Sequence, residues 1–287
     1  MPTSPPMRLT LAVLSFAGAL PALAQTQNTP VPPEAPAAGR ALWEIGGVAI
    51  GASQQAYPGS SRQVKRGIAL PYLLYRGQYL RADNDGVGVR TLKTPRYEFD
   101  VSAAAAFGSS ASNDPVRRGM PNLGTLVEFG PRVKVNLGPA PGGGHWRLDL
   151  PVRGVFDLSR QLTYRGAVFQ PGLDWSRRAA GAWSYGVGTS LVFADRKLAS
   201  TFYEVAPVYA TRTRPAYEAR SGLLASRLSA TVAKDITRDW TVFGFARIDS
   251  VAGAANRASP LVRATTGHTV GIGVSWTWLR SQAQAVD

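Results

Sequence analysis

The feature that most constrains this chain is a strict alternation of apolar and polar residues over long stretches. The odd positions from 125 to 137 are almost all apolar, whereas the even positions include Glu128, Arg132 and Lys134. Three further stretches alternate in the same way: 96–108, 145–158 and 267–278. Because successive side chains of a strand point to opposite faces, each stretch predicts a β-strand with one apolar face and one polar face.

The length of these strands favours a membrane environment. The alternation lasts 10 to 14 residues, whereas a strand of a soluble protein usually has about 5 or 6. A strand that crosses a bilayer at a tilt needs about 9 to 11 residues. Aromatic residues also stand near the ends of the apolar faces, where the membrane interfaces would be: Tyr97 and Phe107, Trp146 and Phe156, Trp183 and Phe193, and Trp276 with Trp278.

A soluble β-sandwich is the alternative fold, because it would alternate too. It would bury its apolar faces between two sheets and would have no need of aromatic residues at the strand ends. We therefore predict an all-β fold, a transmembrane antiparallel up-and-down β-barrel. No segment after the N-terminal region has 18 apolar residues in a row, which excludes a helical membrane protein.

The sequence predicts about twelve strands, an even number, as closure of a bacterial barrel requires. If the two faint strands around Asp83 and Gly86 form one loop, the number is ten. The predicted strands are 43–51, 67–75, 77–82, 86–94, 96–108, 124–137, 145–158, 163–174, 182–194, 221–234, 239–249 and 267–278. The four long connections, 52–66, 109–123, 195–220 and 250–266, then all fall on the outer side.

The two ends of the chain have compositions of their own. Residues 1–24 are predicted to be a signal peptide, because Arg8 precedes an apolar run and Ala22 and Ala24 form a small-x-small cleavage pattern. A membrane anchor is the weaker alternative, since the run is short and contains Gly18 and Pro21. Residues 25–42 read as a Pro/Ala-rich periplasmic linker. The barrel is expected over 43–278, with a C-terminal tail over 279–287.

The predicted inner face carries charges of both signs. The basic residues are Arg96, Arg132, Lys134, Arg147, Arg153 and Arg247, and the acidic ones are Glu98, Asp100, Glu128, Asp149, Asp157 and Asp249. Because an unpaired buried charge is costly, such a balanced set predicts ion pairs across a closed lumen. A lumen filled with water is the alternative.

The formal net charge of +14 must then come mostly from the loops. Arginine binds phosphate with its planar fork of donors, and the outer leaflet presents phosphates. We expect Arg117, Arg118, Arg212 and Arg214 to face lipopolysaccharide. Nucleic acid is not expected as a partner of an exported membrane protein.

Catalytic and cofactor sites are not predicted. The chain has no Cys, which excludes disulfides and thiolate chemistry, and its two histidines are His145 and His268. Neither has a serine two residues further on the same strand face, where Arg147 and Val270 stand instead. The Asp83–Gly86 segment resembles part of a calcium loop, but it lacks the closing glutamate, so no metal site is predicted.

Several short motifs together resemble one family of proteins. They are Tyr57-Pro58-Gly59-Ser60, Leu70-Pro71-Tyr72, Tyr75-Arg76-Gly77, Asn113-Asp114, Gly119-Met120-Pro121-Asn122-Leu123-Gly124, Glu128 with Gly130-Pro131, Phe202-Tyr203-Glu204-Val205, Tyr217 with Gly222-Leu223, and Ser259-Pro260-Leu261-Val262. The ordered set is similar to the MipA/OmpV family of outer-membrane proteins. One departure is the end of the chain, because family members tend to end on an aromatic residue whereas nine residues follow Trp278.

The resemblance implies an outer-membrane barrel without a known catalytic centre. It implies a non-enzymatic structural or scaffold protein that docks murein-remodelling enzymes, such as a lytic transglycosylase or a penicillin-binding protein. A porin-like passive channel for small solutes is the alternative function, and an outer-membrane lipid hydrolase is a third.

Overall fold

The computed structural model describes residues 41–76, 80–83, 86–89, 92–106, 111 and 114–284. The predicted signal peptide, most of the predicted linker, residues 84–85 of the predicted Asp83–Gly86 turn and Phe107 lie outside these residues. The described elements are β1 (Trp43–Gln55), β2 (Gln63–Arg76), β3 (Leu80–Asp83), β4 (Gly86–Val89), β5 (Leu92–Lys93), β6 (Tyr97–Ala106), β7 (Leu126–Ala140), β8 (Gly144–Asp157), β9 (Thr163–Phe169), β10 (Gly172–Ala179), β11 (Trp183–Ala194), α1 (Arg196–Tyr203), β12 (Gly222–Asp235), β13 (Trp240–Ser250) and β14 (Thr266–Arg280).

All these strands form one antiparallel sheet. Hydrogen-bonded neighbours follow the order β4-β3-β2-β1-β14-β13-β12-β11-β10-β8-β7-β6-β5, so β1 and β14 lie side by side. β9 and β10 keep one register against β8 across Gln170 and Pro171, and they serve as a single interrupted strand. Among the described strands, β4 is the first and β5 the last in this order of neighbours. β4 also lies within 8 Å of β6.

Connections at the two ends of the sheet differ in length. At one end the turns are 94–96, 141–143, 180–182 and 236–239, and both ends of the described chain lie there as well. We call this end the short-turn rim. The opposite end, the long-loop rim, carries 56–62, 114–125, 158–162, 195–221 and 251–265. This division matches the long outer loops that the sequence predicts.

The outer face of the sheet is apolar and open to its surroundings. Pairs such as Val127 with Phe156 and Val133 with Leu150 stand opposite each other on this face, as the alternation predicts. The exposed fractions of Phe129, Val152, Val187, Leu228, Ile248 and Ile272 range from 44% to 65%. A soluble protein rarely leaves so large an apolar surface uncovered, and lipid tails are the medium that suits it.

Aromatic residues border this apolar face at both ends. All seven tryptophans of the chain lie toward the short-turn rim: Trp43, Trp146, Trp175, Trp183, Trp240, Trp276 and Trp278. Phe129, Phe156, Tyr164, Phe169 and Phe193 lie toward the long-loop rim and stack in part on one another. Ten residues separate Trp146 from Phe156 and Trp183 from Phe193. At the usual tilt this is about 25 Å, the height of the apolar band of outer-membrane barrels.

Three expectations about element bounds need correction. The strand predicted to end at 174 continues to Ala179, because β10 pairs with β11 as far as Trp183. The last strand runs to Arg280, and Leu42 N donates a hydrogen bond to Ala283 O at 2.8 Å. Residues 41–42 of the predicted linker therefore meet residues 283–284 of the predicted tail at the short-turn rim. The loop predicted over 195–220 contains α1.

No helix within the described ranges has the length and apolar character needed to cross a membrane.

Candidate functional site

Loops of the long-loop rim pack together into one compact unit. We call the segments 56–62, 114–125, 195–221 and 251–265 the loop cap. Its core combines side chains of these loops with the last inward-facing residues of the strands: Tyr57, Met120, Leu123, Leu126, Val155, Val168, Val192, Ala194, Leu198, Ala199, Tyr203, Val205, Ala219, Leu224 and Leu261. Because Val155 and Leu224 belong to the inner face of the sheet, the cap fills the mouth of the sheet.

Helix α1 anchors the cap to the wall. Asp195 Oδ1 accepts a hydrogen bond from Leu198 N at 2.8 Å and caps the first turn of α1. Gly166 makes this approach possible, because its φ is +123° and a Cβ there would collide with the Asp195 carboxylate and Leu198 N. Leu198 and Ala199 are buried as a result.

Two buried tyrosines hold the loops of the cap to one another. Tyr57 Oη donates a hydrogen bond to Leu261 O at 2.8 Å, and Tyr203 Oη donates one to Pro58 O at 2.9 Å. Ser259 Oγ in turn donates to Tyr203 O at 2.7 Å. Burial raises the pKa of Tyr57 to about 12, with Asp114 adding to the effect, and burial also raises the pKa of Tyr203. Both hydroxyl groups therefore stay protonated donors at physiological pH.

Two of the four arginines expected to face lipopolysaccharide are structural parts of the cap instead. Arg117 is 4% exposed and donates to Phe202 O at 3.1 Å, and its guanidinium lies 5.6 Å from the centre of the Tyr57 ring. Arg214 is 8% exposed. It donates to Tyr209 O, Val116 O and Arg118 O, at 2.6, 2.8 and 3.1 Å. Their donors serve backbone carbonyls, which corrects the prediction for this pair. Arg118 and Arg212 are exposed on the cap.

Several of the motifs that carry the family resemblance meet in the cap, whereas Leu70-Pro71-Tyr72 lies on β2 and Gly130-Pro131 on β7. Segment 57–60 contacts segment 259–262 through Tyr57, and segment 202–205 contacts both of them through Tyr203. Val205 and Tyr217 pair through their backbones. Residues far apart in sequence thus share one core, which is a physical reason for the motifs to occur as a set.

Below the cap, the inner face carries a first group of ion pairs between β6, β7 and β8. Arg132 binds both oxygens of Asp100, with its Nε and Nη2 at 2.8 and 2.6 Å. Lys134 Nζ lies 3.1 Å from Asp100 and 3.4 Å from Glu98. Asp149 is opposite Lys134 in register, and its Oδ1 lies 3.9 Å from Arg132 Nε.

A second group of ion pairs lies nearer the cap. Arg153 donates to Glu128 and to Gln170, each at 2.9 Å. Arg165 donates to Asp157 at 2.7 Å. Arg153 and Asp157 are only 3% and 2% exposed. Each of these buried charges therefore needs its own partner of opposite sign, Glu128 for Arg153 and Arg165 for Asp157.

A third group joins β12, β13 and β14. Arg227 Nε donates to Asp249 Oδ1 at 2.6 Å, and Arg247 Nε donates to Asp249 Oδ2 at 3.0 Å. Arg247 also donates to Thr269 Oγ1 at 3.2 Å. One buried carboxylate thus holds two guanidinium groups.

The predicted inner charges lie on the inner face of the sheet, with one exception and three additions, and Arg147 stands opposite Asp174 in register. Their ion pairs join residues of one strand or of neighbouring strands, whereas pairs across the lumen were expected. Arg96 is exposed on the short-turn rim beside Tyr97, because β6 begins one residue after it. Sequence reasoning missed Asp174 and Arg227, although both follow the polar parity of their strands. It also missed Arg165, which lies at a shift of register between β8 and β9 where simple alternation fails.

The two histidines lie at opposite ends of the sheet. His145 is exposed at the start of β8 on the short-turn rim. His268 is near the long-loop rim, where Gln63 Nε2 donates to its backbone oxygen at 3.1 Å. Among the described residues no group of three or more His, Asp or Glu side chains could hold a metal ion.

Comparisons with known proteins give one family and several distant structures. The family described as MltA-interacting protein MipA matches residues 46–278. No curated protein matches the chain.

Among solved structures, the chain is similar to the COG4313 outer membrane channel from Pseudomonas putida F1, with a TM-score of 0.45, 9% identity, and coverage of 86% of this chain and 99% of that one. It is also similar to the translocator domain of autotransporter NalP from Neisseria meningitidis, with a TM-score of 0.38, 11% identity, and coverage of 82% and 88%. A third is outer membrane phospholipase A from Escherichia coli, with a TM-score of 0.32, 9% identity, and coverage of 89% and 97%.

Proposed function

The chain belongs to the MipA family, and from this premise we propose that it is a non-enzymatic structural barrel that docks murein-remodelling enzymes at the inner side of the outer membrane. Its location in the outer membrane follows from the family and agrees with the exposed apolar face. The family description names an MltA-interacting protein. The partner class in this proposal is a lytic transglycosylase or a penicillin-binding protein.

The loop cap is the observation that carries this proposal. A passive channel needs a continuous water path, whereas here fifteen buried apolar residues fill the long-loop end. Ion pairs between neighbouring strands also line the inner face, where Arg153 and Asp157 are each at most 3% exposed. A lipid hydrolase is disfavoured too, since the two histidines are at opposite rims. With the channel and the lipid hydrolase both disfavoured, a structural role fits best a barrel whose long-loop end is filled by side chains.

The finer architecture that we propose is a closed barrel of twelve strands. In this arrangement β9 and β10 count as one strand, which their common register supports. β4 and β5 would likewise count as one strand between β3 and β6. Support for this closure comes from β5 pairing with β6 and from β4 lying within 8 Å of β6. A closed barrel should keep its fold in sodium dodecyl sulfate until it is heated.

Docking is proposed at the short-turn rim, because short turns face the periplasm in outer-membrane barrels. Arg96, Arg177 and Arg238 are exposed there and can contact an acidic protein surface.

Photo-crosslinking in intact envelopes tests this assignment. A crosslinking amino acid at Arg96 or Arg238 is expected to capture a murein hydrolase or synthase, because both positions face the periplasm. The matched control positions are Arg212 and Arg257, which are exposed on the loop cap. Equal capture from the cap, or no murein enzyme from the rim, would contradict the docking proposal.

We further propose that the exposed cap arginines hold lipopolysaccharide phosphates. Replacing Arg118 and Arg212 together by Gln is expected to reduce co-purified lipopolysaccharide severalfold, because each loses a charge-assisted contact. The matched comparison is the double variant at Arg117 and Arg214, whose guanidinium groups donate to backbone oxygens of the cap and do not face outward. Unchanged lipopolysaccharide in the first double variant would count against this role.

A further inference from the structure

A groove lies on the sheet where β14, β1 and β2 meet, near the long-loop rim. Its volume is about 640 Å³, within the range of about 300 to 1,000 Å³ that is usual for small-molecule sites. Three residues of each strand line it, and we call it the wall groove: 51–53 of β1, 65–67 of β2 and 270–272 of β14. None of these nine residues belongs to the loop cap, so the groove is a separate feature.

The wall groove opens toward the lipid and not toward the interior. Val270 and Ile272 line it and are 48% and 65% exposed on the apolar outer face. On the inner side of the sheet, a Cβ at Gly271 would collide with the ring of Phe245, and Phe245 does not line the groove. Six lining residues share the outer face in two rows of register, Lys65–Ser53–Val270 and Gly67–Gly51–Ile272.

Two glycines form the floor of the groove. Among the described residues, a Cβ at Gly51 would meet no atom within 4 Å, and one at Gly67 would meet only Ile50 O, at 4.0 Å. Because neither glycine has a side chain, Val270 and Ile272 stand above the floor as an apolar wall. A larger residue at Gly51 or Gly67 would therefore fill the groove without a clash.

The polarity of the groove changes toward the long-loop rim. Lys65 is exposed and lies two residues nearer to this rim than Gly67. Two residues further, Gln63 Nε2 lies 3.4 Å from Nε2 of the exposed His268. None of the nine lining residues is acidic, and in the part of the chain that the structure describes no acidic side chain pairs with Lys65. The groove is thus apolar toward the membrane centre and cationic toward the surface.

The charge of the groove favours an anionic lipid over a second copy of this chain. In a symmetric dimer a surface patch meets the same patch of the partner, so Lys65 would approach another lysine beside the lipid tails, where like charges repel strongly. A phosphate at the membrane surface supplies the opposite charge. With the long-loop rim on the outer side, the phosphates at this level belong to the lipid of the outer leaflet.

From this arrangement we propose that the wall groove binds lipid A, the membrane anchor of lipopolysaccharide. One acyl chain lies over Gly51 and Gly67 and contacts Val270 and Ile272, and the Lys65 ammonium donates charge-assisted hydrogen bonds to a lipid A phosphate. This site goes beyond the contacts proposed for the cap arginines, because it lies on the wall and uses none of them. It also does not depend on docking at the short-turn rim.

Native mass spectrometry of the detergent-purified mature protein tests the site. The probes are diphosphoryl lipid A, lipid A without phosphates, and phosphatidylglycerol at equal concentrations. All proteins carry Arg118→Gln and Arg212→Gln, so that failure of the groove and failure of the cap contacts can be told apart. We expect one bound lipid A per chain and about tenfold weaker binding of the form without phosphates, since a charge-assisted contact is lost. Equal binding of phosphatidylglycerol, or a dimer without bound lipid, would overturn the proposal.

Variants separate the acyl chain from the phosphate. Gly51→Leu fills the floor and Lys65→Gln removes the cation, and each should weaken lipid A binding about tenfold. The matched controls should bind as the parent protein does. They are Lys65→Arg, which keeps the charge, and Gly244→Leu, which lies beyond Ile272 in the same row and outside the groove.

If Gly51→Leu fails to fold, Gly67→Leu and Lys65→Gln still decide. Binding of lipid A that is unchanged when the floor is filled, or that falls equally in Gly244→Leu, would overturn the groove as the site.

Discussion

Replacing Tyr203 by alanine is expected to convert a protein without conductance into one that conducts. Tyr203 is 1% exposed in the centre of the loop cap, and it joins segments 57–60 and 259–262 through its hydroxyl and its backbone oxygen. Removing a buried aromatic side chain of this size costs about 3 to 5 kcal/mol, and the substitution also removes the hydrogen bond from Tyr203 Oη to Pro58 O. Planar-bilayer recordings should then show conductance steps that the parent protein lacks.

The control for this experiment lies in the same loop. Val208 is 80% exposed and contributes little to the core, so Val208→Ala should stay silent. The strands should stay paired in both variants, because neither Tyr203 nor Val208 belongs to a strand of the sheet. Conductance in the parent protein, or silence in Tyr203→Ala with a verified loss of cap packing, would refute the cap as the barrier.

Replacing Asp249 by alanine is expected to cause the second large effect, a loss of about 3 to 5 kcal/mol in the free energy of unfolding. The carboxylate of Asp249 is 4% exposed and accepts from both Arg227 and Arg247. Without it, the two guanidinium groups lose the carboxylate that both of them bind, and their charges repel each other at low dielectric. Urea unfolding followed by tryptophan fluorescence measures the change.

An exposed ion pair provides the matched control. Asp239 binds Arg280 at 2.6 Å, but its side chain is 51% exposed at the short-turn rim. Asp239→Ala should therefore cost less than about 1 kcal/mol.

Adding Arg247→Met to Asp249→Ala should recover part of the loss, because it removes one of the two repelling charges. Equal destabilisation by the two alanine variants would show that the inner pair is no more than a solvated contact.

These two experiments separate the two features that argue against an open channel. The cap is an apolar barrier that side-chain truncation opens, whereas the ion pairs stabilise the wall and set the charge of the interior. Conductance in Tyr203→Ala together with silence in Asp249→Ala would locate the barrier in the cap alone. Tyr203→Ala should leave docking unchanged, because the short-turn rim is remote from Tyr203.

The faces of the strands could be read from the sequence by itself. Alternation fixes which side chains share a face because the side-chain period of a strand is two, whatever the strand pairs with. That rule placed Val127 and Phe129 outside and Glu128 and Arg132 inside, as found. Outer-membrane location followed from the same pattern, since exposed apolar faces of this length suit lipid.

Only the tertiary structure decided what the loops and the individual charges do. Arg117 and Arg118 are neighbours in sequence, yet one is buried against Phe202 O and the other is exposed, because loop burial depends on contacts 85 residues away. The pairing of Arg227 with Asp249 likewise depends on the register between β12 and β13. Sequence periodicity is local and reports which face of a strand a residue occupies. The cap and the ion pairs between strands arise from long-range contacts that only the folded chain creates.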